Sequence, residues 1–182
     1  IGVVPTGQCL LRSTARIDDD IYVTGTIGAA SAAVKDGVKV PPLELNELWS
    51  RRVDDMSCRY FMPLPRVQMG VALRGLASAA IDISDGLMAD LGHLTRSSGV
   101  GAEIELDRVP VWKSMDAEIA IEASDDYELL FTAPAKEAER IAEMAARIGT
   151  DITCIGKVTA GESVAVNGEV GRIDSPKGYR HF

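Results

Sequence analysis

Apolar residues recur at Leu87, Met88, Leu91 and Leu94, an i, i+1, i+4, i+7 stripe that predicts a helix over GLMADLGHLTRSSG. Gly99 suits the left-handed position that closes such a helix. A second helix is predicted over AKEAERIAEMAARIG, rich in alanine and ending at Gly149. Three further stretches carry helical spacing: AASAAVKDG, ending at Gly37; LELNELWSRRVDDMSCRYF, with Leu45, Leu48, Trp49, Val53 and Met56 near one face; and VQMGVALRGL, from Val67 to Leu76. Pro41 and Pro42 make VKVPP a loop, and MPLPR breaks the helix before it.

Between these lie stretches of strand character: CLLRST (Cys9 to Thr14), IYVTGTIG, SAAIDI, VGAEIEL, SDDYELLFTAP and DITCIGKVTAG. ARIDDD reads as an acidic turn, and DRVPVWKSMDAEIAIEA as part loop and part short helix. SVAVNGEVGRI predicts a hairpin around Asn167 and Gly168, because Asn-Gly favours the tight turns that join antiparallel strands. Strands and helices alternate before the hairpin, which predicts a layered α/β fold with a mixed sheet.

Composition narrows the function. The 182 residues are 46% hydrophobic and 25% charged, ordinary for a globular chain of one domain, or one domain and a piece of another. A net charge of −8 argues against nucleic acid or an anionic membrane as the main partner. It leaves room for phosphorylated small molecules, which a chelated cation makes compatible with carboxylates. Cys9, Cys58 and Cys154 are far apart with no CxxC pair, so reduced thiols in the cytoplasm are expected. Two histidines, neither near a cysteine, make zinc an unlikely ligand. No apolar run approaches the roughly 18 residues that span a bilayer, and no signal peptide is visible. The sequence starts at Ile1 in mid-pattern, so a fragment or processed chain is expected.

Candidate chemistry concentrates at Asp82-Ile83-Ser84-Asp85-Gly86. On a strand, Ile81 and Ile83 face the core while Asp82 and Ser84 share the other face. Asp85 follows in the turn, and Ser84 or Asp85 is placed to cap the next helix. Two carboxylates that close repel unless a cation or proton lies between them, and Mg²⁺ takes such hard oxygen ligands. A plain N-cap with one exposed acid is an equal reading. Asp90, on the helix, is expected to face solvent. In DDYELLF, strand alternation puts Asp126 and Glu128 on one face, a binding surface or an edge protected by its acids. Arg12 suits a phosphate or a salt bridge. TGTIG (Thr24 to Gly28) reads mainly as a turn, and Tyr179 as a stacking ring or part of a docked tail.

LLRSTARIDDDIYVTGTIG, PRVQMGVALRGLASAAIDISDGLMADLGHL, DDYELLF, CIGKVTAG and GYRHF, in that order and across nearly the whole chain, resemble the thiamine-monophosphate kinase family. The resemblance is to that family's C-terminal portion plus the last strand of its N-terminal domain. It implies a remnant of the N-terminal ATP/Mg domain at 1–14. It implies a C-terminal α/β domain at 15–182, of the aminoimidazole ribonucleotide synthetase-like type, layered α/β/α around a mixed sheet. It further implies transfer of the γ-phosphoryl of ATP to thiamine monophosphate with Mg²⁺, giving thiamine diphosphate. By motif, Asp82 and Asp85 match the metal ligands, Arg12 and Ser84 the ATP contacts, and Glu128 and Tyr179 the contacts to thiamine monophosphate. The family pattern has glycine where Ser124 stands, aspartate where Arg180 stands, and RSGAR for RSTAR. The family's N-terminal domain supplies further acidic ligands and the principal homodimer interface, so this chain alone is expected to be inactive. Alternatives are another ATP-dependent enzyme of the superfamily, of the aminoimidazole ribonucleotide or selenophosphate synthetase type, or a non-catalytic binding or assembly module.

Overall fold

A computed structural model describes residues 3–37, 56–113, 115–122, 124–168 and 171–174. Seven strands form one sheet: β1 (Asp20–Thr24), β2 (Ala79–Asp82), β3 (Gly101–Glu105), β4 (Leu129–Ala133), β5 (Ile152–Thr159), β6 (Val164–Gly168) and β7 (Gly171–Asp174). Their order is β2-β4-β1-β5-β3-β6-β7. The β3–β6 pair is parallel and every other pair antiparallel, so the sheet is mixed as predicted. The helices are α1 (Ala29–Lys35), α2 (Met56–Phe61), α3 (Val67–Ala72), α4 (Leu87–Ser98), α5 (Ala117–Ala120) and α6 (Ala138–Ile148).

Period-two alternation splits the sheet between two cores. In β1, Ile21 and Val23 enter a cluster with Leu87, Leu91 and Leu94 of α4. Tyr22 points the other way, into a cluster with Met69 and Leu73 at α3 and Ile141 and Ala145 of α6. Its ring stacks on Phe131 of β4 at 5.1 Å. Helices therefore cover both faces, the α/β/α arrangement. The predicted helices over α4 and α6 are present, each closed by a left-handed glycine, Gly99 and Gly149.

Three local expectations are corrected. Cys9 to Thr14 is not a strand. The amide of Ala80 donates to the Leu11 carbonyl at 3.1 Å, but no ladder continues from it. The hairpin near Asn167 forms, yet Asn167 pairs with Arg172 and Gly168 with Gly171, so both lie inside β6. The connection falls at 169–170, outside the described residues. Residues 124–128 are not strand either, and β4 begins at Leu129. The VKVPP loop, the first part of the helix predicted over LELNELWSRRVDDMSCRYF and the tail with Tyr179 lie outside the described residues.

A bulge shapes the centre of the sheet. Ile21 pairs with Gly156 and Tyr22 with Cys154, leaving Ile155 as the extra residue on β5. Gly156 is packed so closely on β3 that a Cβ there would overlap the Glu103 carbonyl oxygen.

Candidate functional site

The DISDG and DDYE segments lie side by side at the end of β2 and β4. The Ile83 amide donates to the Glu128 carbonyl at 2.8 Å, and the Tyr127 amide donates to the Ile83 carbonyl at 2.8 Å. Two acidic motifs some forty positions apart thus form one edge of a single site.

The DISDG turn is organised by a residue that sequence reasoning sends to solvent. Asp90 is 2% exposed. Its Oδ2 accepts the amides of Ser84 at 2.9 Å and Asp85 at 3.0 Å. Gly86 is the N-cap of α4, and neither Ser84 nor Asp85 caps it with a side chain. Asp90 does the work instead by reaching back from the first turn of the helix to the amides that precede it. Burial raises its pKa, outweighing the two amide bonds that lower it. The only sequence signal was an acid in the first turn of a helix whose N-cap is glycine, a weak one.

Asp82 is exposed at the end of β2, and Ser84 and Asp85 are half-buried. Asp85 Oδ2 lies 4.0 Å from His93 Nε2, and His93 Nδ1 is 2.9 Å from Arg96 Nη2. Asp85, Asp90 and His93 each offer one ligand atom, all within 4.8 Å of one another. Asp82 is not in that group, so the structure gathers Asp85 with Asp90 and His93 rather than with Asp82.

The DDYE segment carries a second structural surprise. Asp126 and Glu128 both point inward and are buried. Asp126 Oδ2 accepts the Gly28 amide at 2.7 Å and the Ser124 hydroxyl at 2.7 Å, while its Oδ1 accepts the Ala30 amide at 3.2 Å. It ties the TGTIG turn and the start of α1 to DDYE. Glu128, matched by resemblance to a substrate contact, is 2% exposed and enclosed by donors. Thr24 Oγ1 donates to its Oε2 at 2.6 Å, as does Arg66 Nε at 2.7 Å. Arg66 Nη2 and Arg59 Nη2 donate to Oε1 at 2.7 and 3.0 Å. Arg59 also donates to the hydroxyl and carbonyl of Thr26 and sits 5.0 Å over the Trp112 ring. The bond to Glu128 raises the Arg66 pKa. Burial lowers that of Arg59, although Glu128 and Asp126 oppose it. Gly25 adopts φ +58° against this cage, and a Cβ there would run into the Glu128 carboxylate.

The two arginines and Trp112 escaped the sequence reading, and Thr24 entered it only as the start of the TGTIG turn, because nothing in their spacing links them to DDYE. Asp125 remains at the surface beside a cleft of about 240 Å³ lined by Ala30, Val34, Tyr60 and Ser124. Burial, then Asp126 and Asp85, raise its pKa, so the acids of the two motifs share one field. Arg12 is exposed in a turn, not in a strand. None of the three cysteines, Cys9, Cys58 and Cys154, forms a disulfide. Among the described residues no helix is long and apolar enough to cross a membrane.

Residues 16–169 match the family model of the AIR synthase related protein, C-terminal domain. The chain is 37% identical to the thiamine-monophosphate kinase of Escherichia coli (strain K12), a match over 100% of this chain and 58% of that protein. It is 31% identical to that of Aquifex aeolicus (strain VF5), over 94% of this chain and 54% of the relative. The chain thus spans less than two thirds of the length of these relatives. Among solved structures it is similar to thiamine-monophosphate kinase from Stenotrophomonas maltophilia K279a, with a TM-score of 0.80 and 35% identity. That match covers 91% of this chain and 55% of the other. A structure of AaThiL complexed with AMPPCP and TMP matches with a TM-score of 0.70 and 32% identity, over 95% of this chain and 54% of that one. T. maritima PurL complexed with ATP shares the fold, with a TM-score of 0.69 at 19% identity.

Proposed function

The chain belongs to the AIR synthase related family through its C-terminal domain, and from that premise we propose that it forms the C-terminal portion of a kinase transferring the γ-phosphoryl group of ATP to thiamine monophosphate. The observation that carries this reading is the backbone pairing of Ile83 with Tyr127 and Glu128. It places the exposed or half-buried acids of DISDG beside Asp125 at one end of the sheet. The relative bound to AMPPCP and TMP supports the same pair of substrates here.

Asp85 and, at the exposed end of β2, Asp82 would hold Mg²⁺, with Asp90 and His93 next to Asp85. The donor set is carboxylate oxygen, which suits a hard cation, and Asp90 spends a single oxygen on both amides of the turn. Bound there, the ion supplies the positive charge that lets ATP phosphates approach these acids. The rest of the work is positioning, which dominates phosphoryl transfer. Asp90 fixes the DISDG turn that presents Asp85 and Ser84, with Ser84 and Arg12 assigned to ATP. Glu128 acts towards thiamine monophosphate by holding Arg59 and Arg66, and Asp126 anchors the TGTIG turn beside them. Tyr179 is assigned to the same substrate.

The test uses the complete protein containing this chain. Asp85→Asn is expected to lower kcat at least about a hundredfold with an unchanged melting temperature, because a charge that positions phosphates is lost. An unchanged kcat would remove Asp85 from the metal role.

A further inference from the structure

Tyr127 has a left-handed backbone, φ +52°. That conformation is uncommon for a residue with a bulky side chain and costs about 1 kcal/mol or more. The strain is imposed from both sides. Asp126 is fastened by the amides of Gly28 and Ala30 and by Ser124. Glu128 is fastened by Thr24, Arg59 and Arg66. With both neighbours pointing inward and its own amide bound to Ile83, Tyr127 is turned outward with 42% of its surface exposed. The rings of Tyr22 and Phe131, by contrast, stack on each other in the core.

An aromatic ring held outward at a strained position, between two locked acids and against the DISDG turn, is placed to meet a ligand. Its surroundings choose the kind of ligand. The bond from the Tyr127 amide to Ile83 sets exposed Asp82 and half-buried Asp85 beside it, and Asp125, two residues earlier, is exposed, so three carboxylates rim Tyr127. A neutral ring gains nothing from such a field, whereas a cationic ring gains from the field and from the electron-rich face of the phenol together. We propose that Tyr127 is the face on which the cationic thiazolium ring of thiamine monophosphate rests, making it a specificity residue for the acceptor. The proposal rests on the kinase reading above.

The complete protein is titrated calorimetrically with thiamine monophosphate and, separately, with a non-hydrolysable ATP analogue. Tyr127→Leu keeps an apolar side chain and removes the ring, while Tyr127→Phe keeps the ring. The leucine variant is expected to raise the Kd for thiamine monophosphate about tenfold, and the phenylalanine variant less than about twofold. Affinity for the ATP analogue and the melting temperature stay as in wild type. Equal affinity of wild type and Tyr127→Leu for thiamine monophosphate would overturn the proposal. So would an equal loss for both ligands, or a lower melting temperature with affinity retained, which marks a packing residue. Wild-type turnover separates the two readings. Its absence sinks the kinase reading and this inference with it, whereas turnover with equal affinities sinks this inference alone.

Discussion

Glu128 balances two largely buried arginines, and its removal leaves both without their carboxylate partner. Breaking such a pair from one side costs far more than the pair contributes. Glu128→Ala is expected to lower unfolding free energy by about 3 kcal/mol, measured by urea denaturation, with a smaller loss for Glu128→Gln. Asp90 is a second test at this scale. Asp90→Ala strips an acceptor from two amides at once and is expected to cost about 2 kcal/mol in the same measurement, with loss of activity in the complete protein. The DISDG and DDYE motifs were legible in the sequence, and the roles proposed for Asp82, Asp85 and Glu128 come from matching those motifs. Asp90 was not, since helical periodicity sees which face of a helix a residue occupies but not a side chain reaching back past the helix start. Arg59 and Arg66 were invisible for a different reason. Their partner is more than sixty positions away, and no local rule joins them.

The helices α4 and α6 were readable because apolar spacing and a closing glycine agree. Leu91, fully buried on α4, should show what that packing is worth: Leu91→Ala is expected to cost about 3 kcal/mol by thermal or chemical unfolding. The N-terminal segment shows the limit of such reading. CLLRST has strand composition, yet a strand also needs a partner for its backbone, and among the described residues only one such hydrogen bond to β2 forms. The hairpin was legible in kind but not in register. Asn167 is drawn into β6, where its side chain donates to Glu103 and Glu105 at 3.0 Å each. The β5 bulge left no trace beyond a glycine in a strand. Gly156→Ala is expected to destabilise the protein by about 2 kcal/mol, since the new Cβ meets backbone that cannot swing aside.

At the scale of the molecule, a mixed sheet covered by helices on both faces brings DISDG, DDYE and TGTIG to one end. The alternation of strands and helices made that architecture legible, but not the convergence, which depends on β2, β4 and β1 being neighbours in an order the chain does not follow. A net charge of −8 leaves room for phosphate ligands where a chelated cation offsets nearby carboxylates. The chain matches 58% of the length of its Escherichia coli relative. The 182-residue chain alone is therefore expected to give no turnover. The most direct test follows thiamine diphosphate by ³¹P NMR in the complete protein with ATP and thiamine monophosphate. The account predicts product only when Mg²⁺ is present, and none after chelation. No product from a folded protein with all three supplied, or full activity after chelation, would contradict it.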